Sequence, residues 1–188
     1  MCTAESAGSR SRRVFVSYAH DSVRHRRRVI QFCRFLRGIG IDARLDVWEE
    51  GGRRDWAVWA QREIEEADFV IVVASSAYRF WAEGGATPER GRGTQFEAAL
   101  LREKIFEDRA AWLPKVLPVV LPGGRVDDIP AFLQPRSASH YQVTSFTAAG
   151  ASMLLRVMAG QPAQKRPELG PAGPRLRPTR VTFVSRIR

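Results

Sequence analysis

Cysteine is scarce in this 188-residue sequence: Cys2 lies in a small, polar start and Cys33 in an apolar pattern, too few for a disulfide framework. Long apolar runs are missing too. The longest, Phe69 to Ala74, has six residues, against the ~20 that span a bilayer. Residues 1–13 contain no apolar stretch of the signal-peptide kind. No G-x-x-x-x-G-K-S/T phosphate loop, no C-x-x-C and no H-E-x-x-H is present, and His20, His25 and His140 are scattered. Gly91-x-Gly93 lacks the third glycine of a dinucleotide fingerprint and does not follow directly on a strand. These absences exclude a transmembrane protein, a disulfide scaffold and a wholly disordered chain. They lead to the expectation of a soluble, cytoplasmic protein with no metal site and no membrane partner.

Acidic residues are outnumbered, giving a net charge of +10, but the excess sits at the ends. Residues 1–13 carry +2, residues 161–188 carry +6, and only +2 remains for 14–160. Weak polyanion contact is therefore expected of the tail, where Lys/Arg contacts to phosphate add up. The division that follows is a flexible basic leader over 1–13, a domain over 14–160 and a tail or linker over 161–188. Five prolines fall between 161 and 178. Val181, Phe183 and Ile187 could form a short sticky segment.

Strand and helix patterns alternate through 14–160. Val14 to Tyr18 reads as a buried strand, and Asp21 and Ser22 offer cap oxygens to a helix whose Val29, Cys33 and Leu36 share one face. A second strand is expected over Ala43–Trp48, then a charged loop through Arg53 and Arg54. Asp55 can cap a helix lined by Trp56, Trp59 or Ala60, Ile64 and Ala67. Phe69–Val73 is a β-branched run of the kind covered on both faces in parallel sheets. A helix carrying Phe96, Leu100, Leu101 and Ile105 follows, then a strand over Val116–Leu121 that Pro118 assigns to an edge. Tyr141–Phe146 reads as a last strand, and Met153 to Met158 as a closing helix. The expected architecture is α/β: three layers, flavodoxin-like, around a central, mainly parallel five-stranded sheet. Ligands of such sheets sit beyond the carboxyl ends of the strands. That rule selects the loops Ser17–Ser22, Asp46–Asp55 and Ser75–Trp81 and the approach to Glu97.

Val14-Phe15-Val16-Ser17-Tyr18-Ala19-His20-Asp21 resembles the opening of a SEFIR domain, a relative of the TIR domain. Leu45-Asp46-Val47-Trp48, the Trp56/Trp59 helix ending Ile64-x-x-Ala67-Asp68, and Val70 to Ser75 with Tyr78 beyond extend the resemblance. So do Gln95-Phe96-Glu97, Leu117-Pro118-Val119-Val120 and Ile129-Pro130-x-Phe132-Leu133. The ordered set covers about 14–146. It implies the flavodoxin-like sheet and one of two activities. One is cleavage of NAD+ to nicotinamide and an ADP-ribose product, as in bacterial TIR and SEFIR relatives, often in antiviral defence. The other is non-enzymatic, homotypic assembly with further SEFIR or TIR domains, as in animal signalling adaptors.

In catalytic TIR domains the key carboxylate is a Glu near the start of the third helix, and the matching position here is Glu97. The chemistry is coherent. Nicotinamide departs neutral, so no general acid is needed, and one carboxylate can orient ribose hydroxyls and stabilise the oxocarbenium-like centre. A first-turn position would favour the Glu97 anion through the helix dipole. The resemblance further implies NAD+ as substrate rather than cofactor, with Tyr18, His20 and Asp21 contacting it; Asp21 is equally a plain helix cap. Asp46 and Trp48 end the second strand, where Trp48 could stack on a ring of the substrate or be a buried strand-end aromatic. Arg53, with Arg54, is placed to meet the diphosphate or to be solvated, and Ser75 and Tyr78 face the same crevice. One departure stands out. Where catalytic TIR domains often carry Trp four residues before the Glu, this sequence has Gly93, leaving Trp81 or Phe80 to supply the ring.

Overall fold

The computed structural model describes residues 11–49, 51–162 and 164–170. Its five strands are β1 (Arg13–Ser17), β2 (Asp42–Arg44), β3 (Phe69–Val73), β4 (Val116–Val120) and β5 (Tyr141–Gln142). They pair in parallel throughout, in the order β2-β1-β3-β4-β5. Parallel neighbours need crossovers, which the helices supply: α1 (Val23–Gly38), α2 (Trp56–Glu66), α3 (Ser76–Phe80), α4 (Arg92–Glu107), α5 (Arg109–Lys115) and α6 (Ser152–Met158). The period-2 alternation of β1 sends Val14 and Val16 into a core shared with α1 and α6. Phe15 goes to the opposite core, with α2, α3 and α4. β3 is apolar at every position because both of its faces are covered. The fold is the three-layer α/β arrangement expected.

Local signals set the helix ends. The Ser22 hydroxyl accepts the His25 N–H at 3.1 Å, and Val29, Phe32, Cys33 and Leu36 bury one face of α1. Cys33 is a core thiol, and burial raises its pKa. Asp55 accepts from Ala57 and Val58 to start α2.

Four expectations are corrected. The second strand stops at Arg44 because the Asp46 carboxylate accepts the Val47 N–H at 2.8 Å, turning Asp46–Trp48 into a short 3-10 turn. β4 is interior, not an edge. The Val119 carbonyl bonds to Ala74 on the β3 side and the Val120 carbonyl to Val143 on the β5 side. Pro118, two residues before Val120, therefore turns its missing donor toward β5 ahead of the Val119–Tyr141 pair at which β5 begins. β5 itself is two residues long, because the chain turns back at Thr144, whose N–H bonds the Gly150 carbonyl at 3.0 Å. In α4 the buried stripe is Thr94, Ala98, Leu101 and Ile105, while Phe96 faces outward. The leader's first ten residues and the apolar segment at 181–187 lie outside the described residues.

An ionic cluster ties β1 to α2. Glu63 is fully buried, with Arg13 Nη2 2.8 Å and Arg44 Nε 3.4 Å from its Oε2, and Arg13 Nη1 lies 2.6 Å from Glu66. Only the Arg13 contact has hydrogen-bond geometry, since Arg44 Nε and Glu63 Oε1 are unpartnered. Removing the guanidinium leaves a buried carboxylate with a single distant cation. Arg13→Ala is therefore expected to lower the unfolding free energy by about 3 kcal/mol, read from urea denaturation.

Candidate functional site

The strand order reverses between β1 and β3, and at the carboxyl end of β1 lies a cavity of about 860 Å³. β1 and the loop after it contribute Tyr18 and His20, and the turn after β2 contributes Asp46. α2 gives Trp56 and Trp59, the turn after α3 gives Trp81, and the start of α4 gives Arg92, Gly93, Phe96 and Glu97. The volume falls in the range of small-molecule sites, roughly 300–1,000 Å³.

Glu97 is held from behind by two hydroxyls. Ser17 Oγ donates to Glu97 Oε2 at 2.5 Å and lies 2.9 Å from the hydroxyl of Tyr78. A carboxylate can only accept, so Ser17 spends its one proton on Glu97, and Tyr78 must donate to Ser17. The relay thus runs Tyr78 to Ser17 to Glu97, oriented toward the anion. Burial outweighs it: Glu97 is pushed up to about 7, the Ser17 hydrogen bond pulling the other way and Asp46 adding repulsion. Expected in the first turn of its helix, Glu97 instead occupies the second, because α4 begins at Arg92. There the helix dipole has largely faded, and desolvation decides.

Across the cavity His20 Nε2 lies 2.7 Å from Asp46 Oδ2, and the Tyr18 hydroxyl donates to Asp46 Oδ1 at 3.2 Å. The hydrogen bond to Asp46 raises the His20 pKa against its burial. Burial opposes the Asp46 anion, but His20, the Val47 N–H and Tyr18 together hold its pKa below the ordinary value. A hydrogen-bonded His20–Asp46 pair thus faces a carboxyl group whose pKa is pushed up to about 7. Among the described residues no cluster of His, Cys, Asp and Glu has the arrangement of a metal site.

Of the residues singled out from sequence, Tyr18, His20, Asp46 and Glu97 come together on the cavity wall, with Trp81 beside them. The others do not line it. Tyr78 is fully buried behind Ser17, where no substrate reaches it. Ser75 caps α3, its hydroxyl accepting the Tyr78 N–H at 3.1 Å. Trp48 is carried round by the 3-10 turn to a separate depression, where its ring sits 5.7 Å from the Arg37 guanidinium. Ser22, not Asp21, caps α1, and Asp21 Oδ1 is buried without a partner. Arg53 is exposed away from the cavity, and Arg54 pairs with Glu49 at 3.2 Å. Phe80 points into solvent, so the ring comes from Trp81. A Cβ on Gly91 would lie 2.4 Å from that ring, and Gly91 has φ of 79°, so both contact and backbone demand glycine. A Cβ on Gly93 would meet nothing within 4 Å, so the space beside it is open.

Sequence reasoning missed Trp56, Trp59, Arg90 and Arg92 as parts of this wall, and Ser17 as the hydroxyl behind it. Strand parity held the signal for Ser17: it shares the face of Phe15, the one turned to α4.

A model of the SEFIR domain matches residues 12–149. The chain belongs to the SEFIR family. The SEFIR chain is 27% identical over 139 residues to interleukin-17 receptor D of Mus musculus, a match covering 64% of this chain and 18% of the receptor. It thus spans less than a fifth of that relative's length. A crystal structure of a prokaryotic SEFIR domain superposes with a TM-score of 0.59 at 23% identity, covering 85% of this chain and 100% of the other. That likeness is one of fold. No helix among the described residues is long and apolar enough to cross a membrane.

Proposed function

We propose that this SEFIR cavity is an NAD+ glycohydrolase site, with Glu97 as the carboxylate that stabilises the ribosyl cation while nicotinamide leaves. The placement of Glu97 carries the reading: it is drawn into the wall of an aromatic-lined cavity and held there by Ser17. The electron pair of the glycosidic bond goes to the pyridinium nitrogen, so nicotinamide departs neutral. Water then adds to the ribose C1, giving ADP-ribose and a proton. Developing positive charge at that carbon is where a fixed, desolvated carboxylate is worth most. Trp81 and Phe96 offer flat faces for the two heterocycles, and Arg90 and Arg92 stand at the rim for the diphosphate.

Self-association completes the site in this reading. Trp56 lines the cavity yet is 44% exposed, and Val58 beside it is 63% exposed, so a second copy or another SEFIR or TIR domain seated on α2 would close the mouth. NAD+ loss on assembly would serve antiviral defence or immune-type signalling in the cytoplasm.

The test is NAD+ consumption and nicotinamide release by the purified chain at low and high protein concentration, with Glu97→Ala alongside. Turnover that rises with concentration and is lost in the variant is the expected result. Folded protein that associates without turnover at any concentration would instead favour a purely adaptor role. The same exposed Trp56 and Val58, and the likeness to a receptor, support that second reading.

A further inference from the structure

The +2 balance of residues 14–160 conceals a segregation of charge between the two outer layers. α1 and α6 form one layer and contain no acidic side chain; α1 alone carries six arginines. α2 and α4, in the other layer, carry six glutamates against four basic residues. On α1 the exposed positions Arg24, Arg27, Gln31 and Arg34 follow one another at helical spacing, a stripe about 15 Å long at 1.5 Å per residue. None of the three arginines has an acidic partner among the described residues, whereas Arg37 at the end of the helix is paired with Asp42 at 2.6 Å. Arg24, Arg27, Arg28 and Gln31 also edge a shallow depression of about 440 Å³.

This arrangement costs stability. The first turn of α1 has no acidic residue and holds Arg24 where the helix dipole is already positive. A bland solvated face would mix signs. We propose that the outer face of α1 docks duplex nucleic acid through its phosphate backbone, without reading base sequence. Two observations favour this occupant over an acidic protein or a single strand. The exposed apolar side chain that edges the same depression, Val23, sits at its N-terminal end, and no exposed apolar or aromatic side chain lies on the stripe between Arg24 and Arg34, where a protein interface would need its central anchor. Nor does the stripe offer an exposed aromatic ring for bases to stack on. What remains is guanidinium groups in a row, the complement of regularly spaced phosphates. The site lies on the folded domain and is independent of the basic tail and of NAD+ cleavage.

The test is fluorescence anisotropy of the full chain with a labelled 20-base-pair random duplex over a range of KCl concentrations. Three proteins are compared: the wild type, the triple variant R24E/R27E/R34E, and the tail variant K165Q/R166Q/R175Q/R177Q. The triple variant is expected to lose at least about 100-fold in affinity at 0.1 M salt, and its salt slope to shallow by about three. The tail variant should lose less. Circular dichroism should give the triple variant a Tm equal to or above the wild type, since replacing Arg24 by an acidic side chain relieves its clash with the helix dipole. The loss of binding then cannot be unfolding. Wild-type protein that does not bind, a triple variant that binds like wild type, or displacement of the duplex by poly-glutamate at equal charge would each overturn the proposal.

Discussion

Glu97→Gln is expected to make the fold more stable at pH 8 while removing NAD+ turnover. The carboxyl titrates near pH 7 in the fold and near 4.5 when free. Between those values the native state holds more protons than the unfolded one, so native stability falls as pH rises through the window. Above pH 7 the whole cost of keeping a desolvated carboxylate is borne. A neutral isostere escapes it and still accepts the Ser17 hydroxyl. The gain should be about 1–3 kcal/mol at pH 8, a rise of several degrees in Tm, and should vanish near pH 4, where both side chains are neutral. Turnover should fall by roughly a thousandfold, the scale of losing one preorganised electrostatic group at the reacting centre. Thermal denaturation of both proteins at pH 4 and pH 8 separates the two effects. Equal Tm at both pH values would mean that Glu97 titrates as an ordinary solvated carboxyl.

Ser17→Ala should act on the same carboxyl from the other side. The Ser17 hydrogen bond is what lowers the Glu97 pKa against burial, so its loss raises that pKa further. The anionic fraction at pH 7 then drops, and NAD+ turnover at that pH should fall with it, toward about tenfold for each pH unit by which the titration midpoint moves up. The pH–rate profile should keep its shape and move to higher pH, with activity partly recovered at pH 9. Ser17→Thr, which keeps the donor, should lie near wild type. A flat loss of activity at every pH would assign Ser17 to packing alone.

How much of this is legible in the sequence depends on the range of the interaction. β3, the buried face of α1 and the Asp55 cap follow from neighbours within a few residues, and the sequence patterns locate them correctly. Glu97 is reached only through family resemblance, because a Glu near a helix start has no local mark of burial. The turn at Asp46–Trp48 hides in a strand-like run, since the decisive contact is one aspartate oxygen on the next amide. Pro118 misleads because its missing N–H matters only on the side where a neighbour pairs, and β5 starts one residue too late to need it. Tyr78 and Ser75 are drawn into the expected site by their place after a central strand. The five-residue helix α3 instead turns Tyr78 inward and leaves Ser75 as its cap. The two extra tryptophans of the wall belong to α2, whose face toward the cavity cannot be separated from its face toward the core by periodicity alone.

Ser17 and Glu97, in hydrogen-bond contact, are 80 residues apart in the chain, and between them lie α1, β2, α2, β3 and α3. During synthesis β1 leaves the ribosome first yet has no partner until β2 and β3 have followed, and β4 comes later still. Non-local parallel pairing of this kind is slow and leaves strand edges uncovered in the meantime. The cavity draws its lining from both ends of this span, so it does not exist in the nascent chain until α4 has docked. A truncated or stalled product would carry the residues of the site without the site.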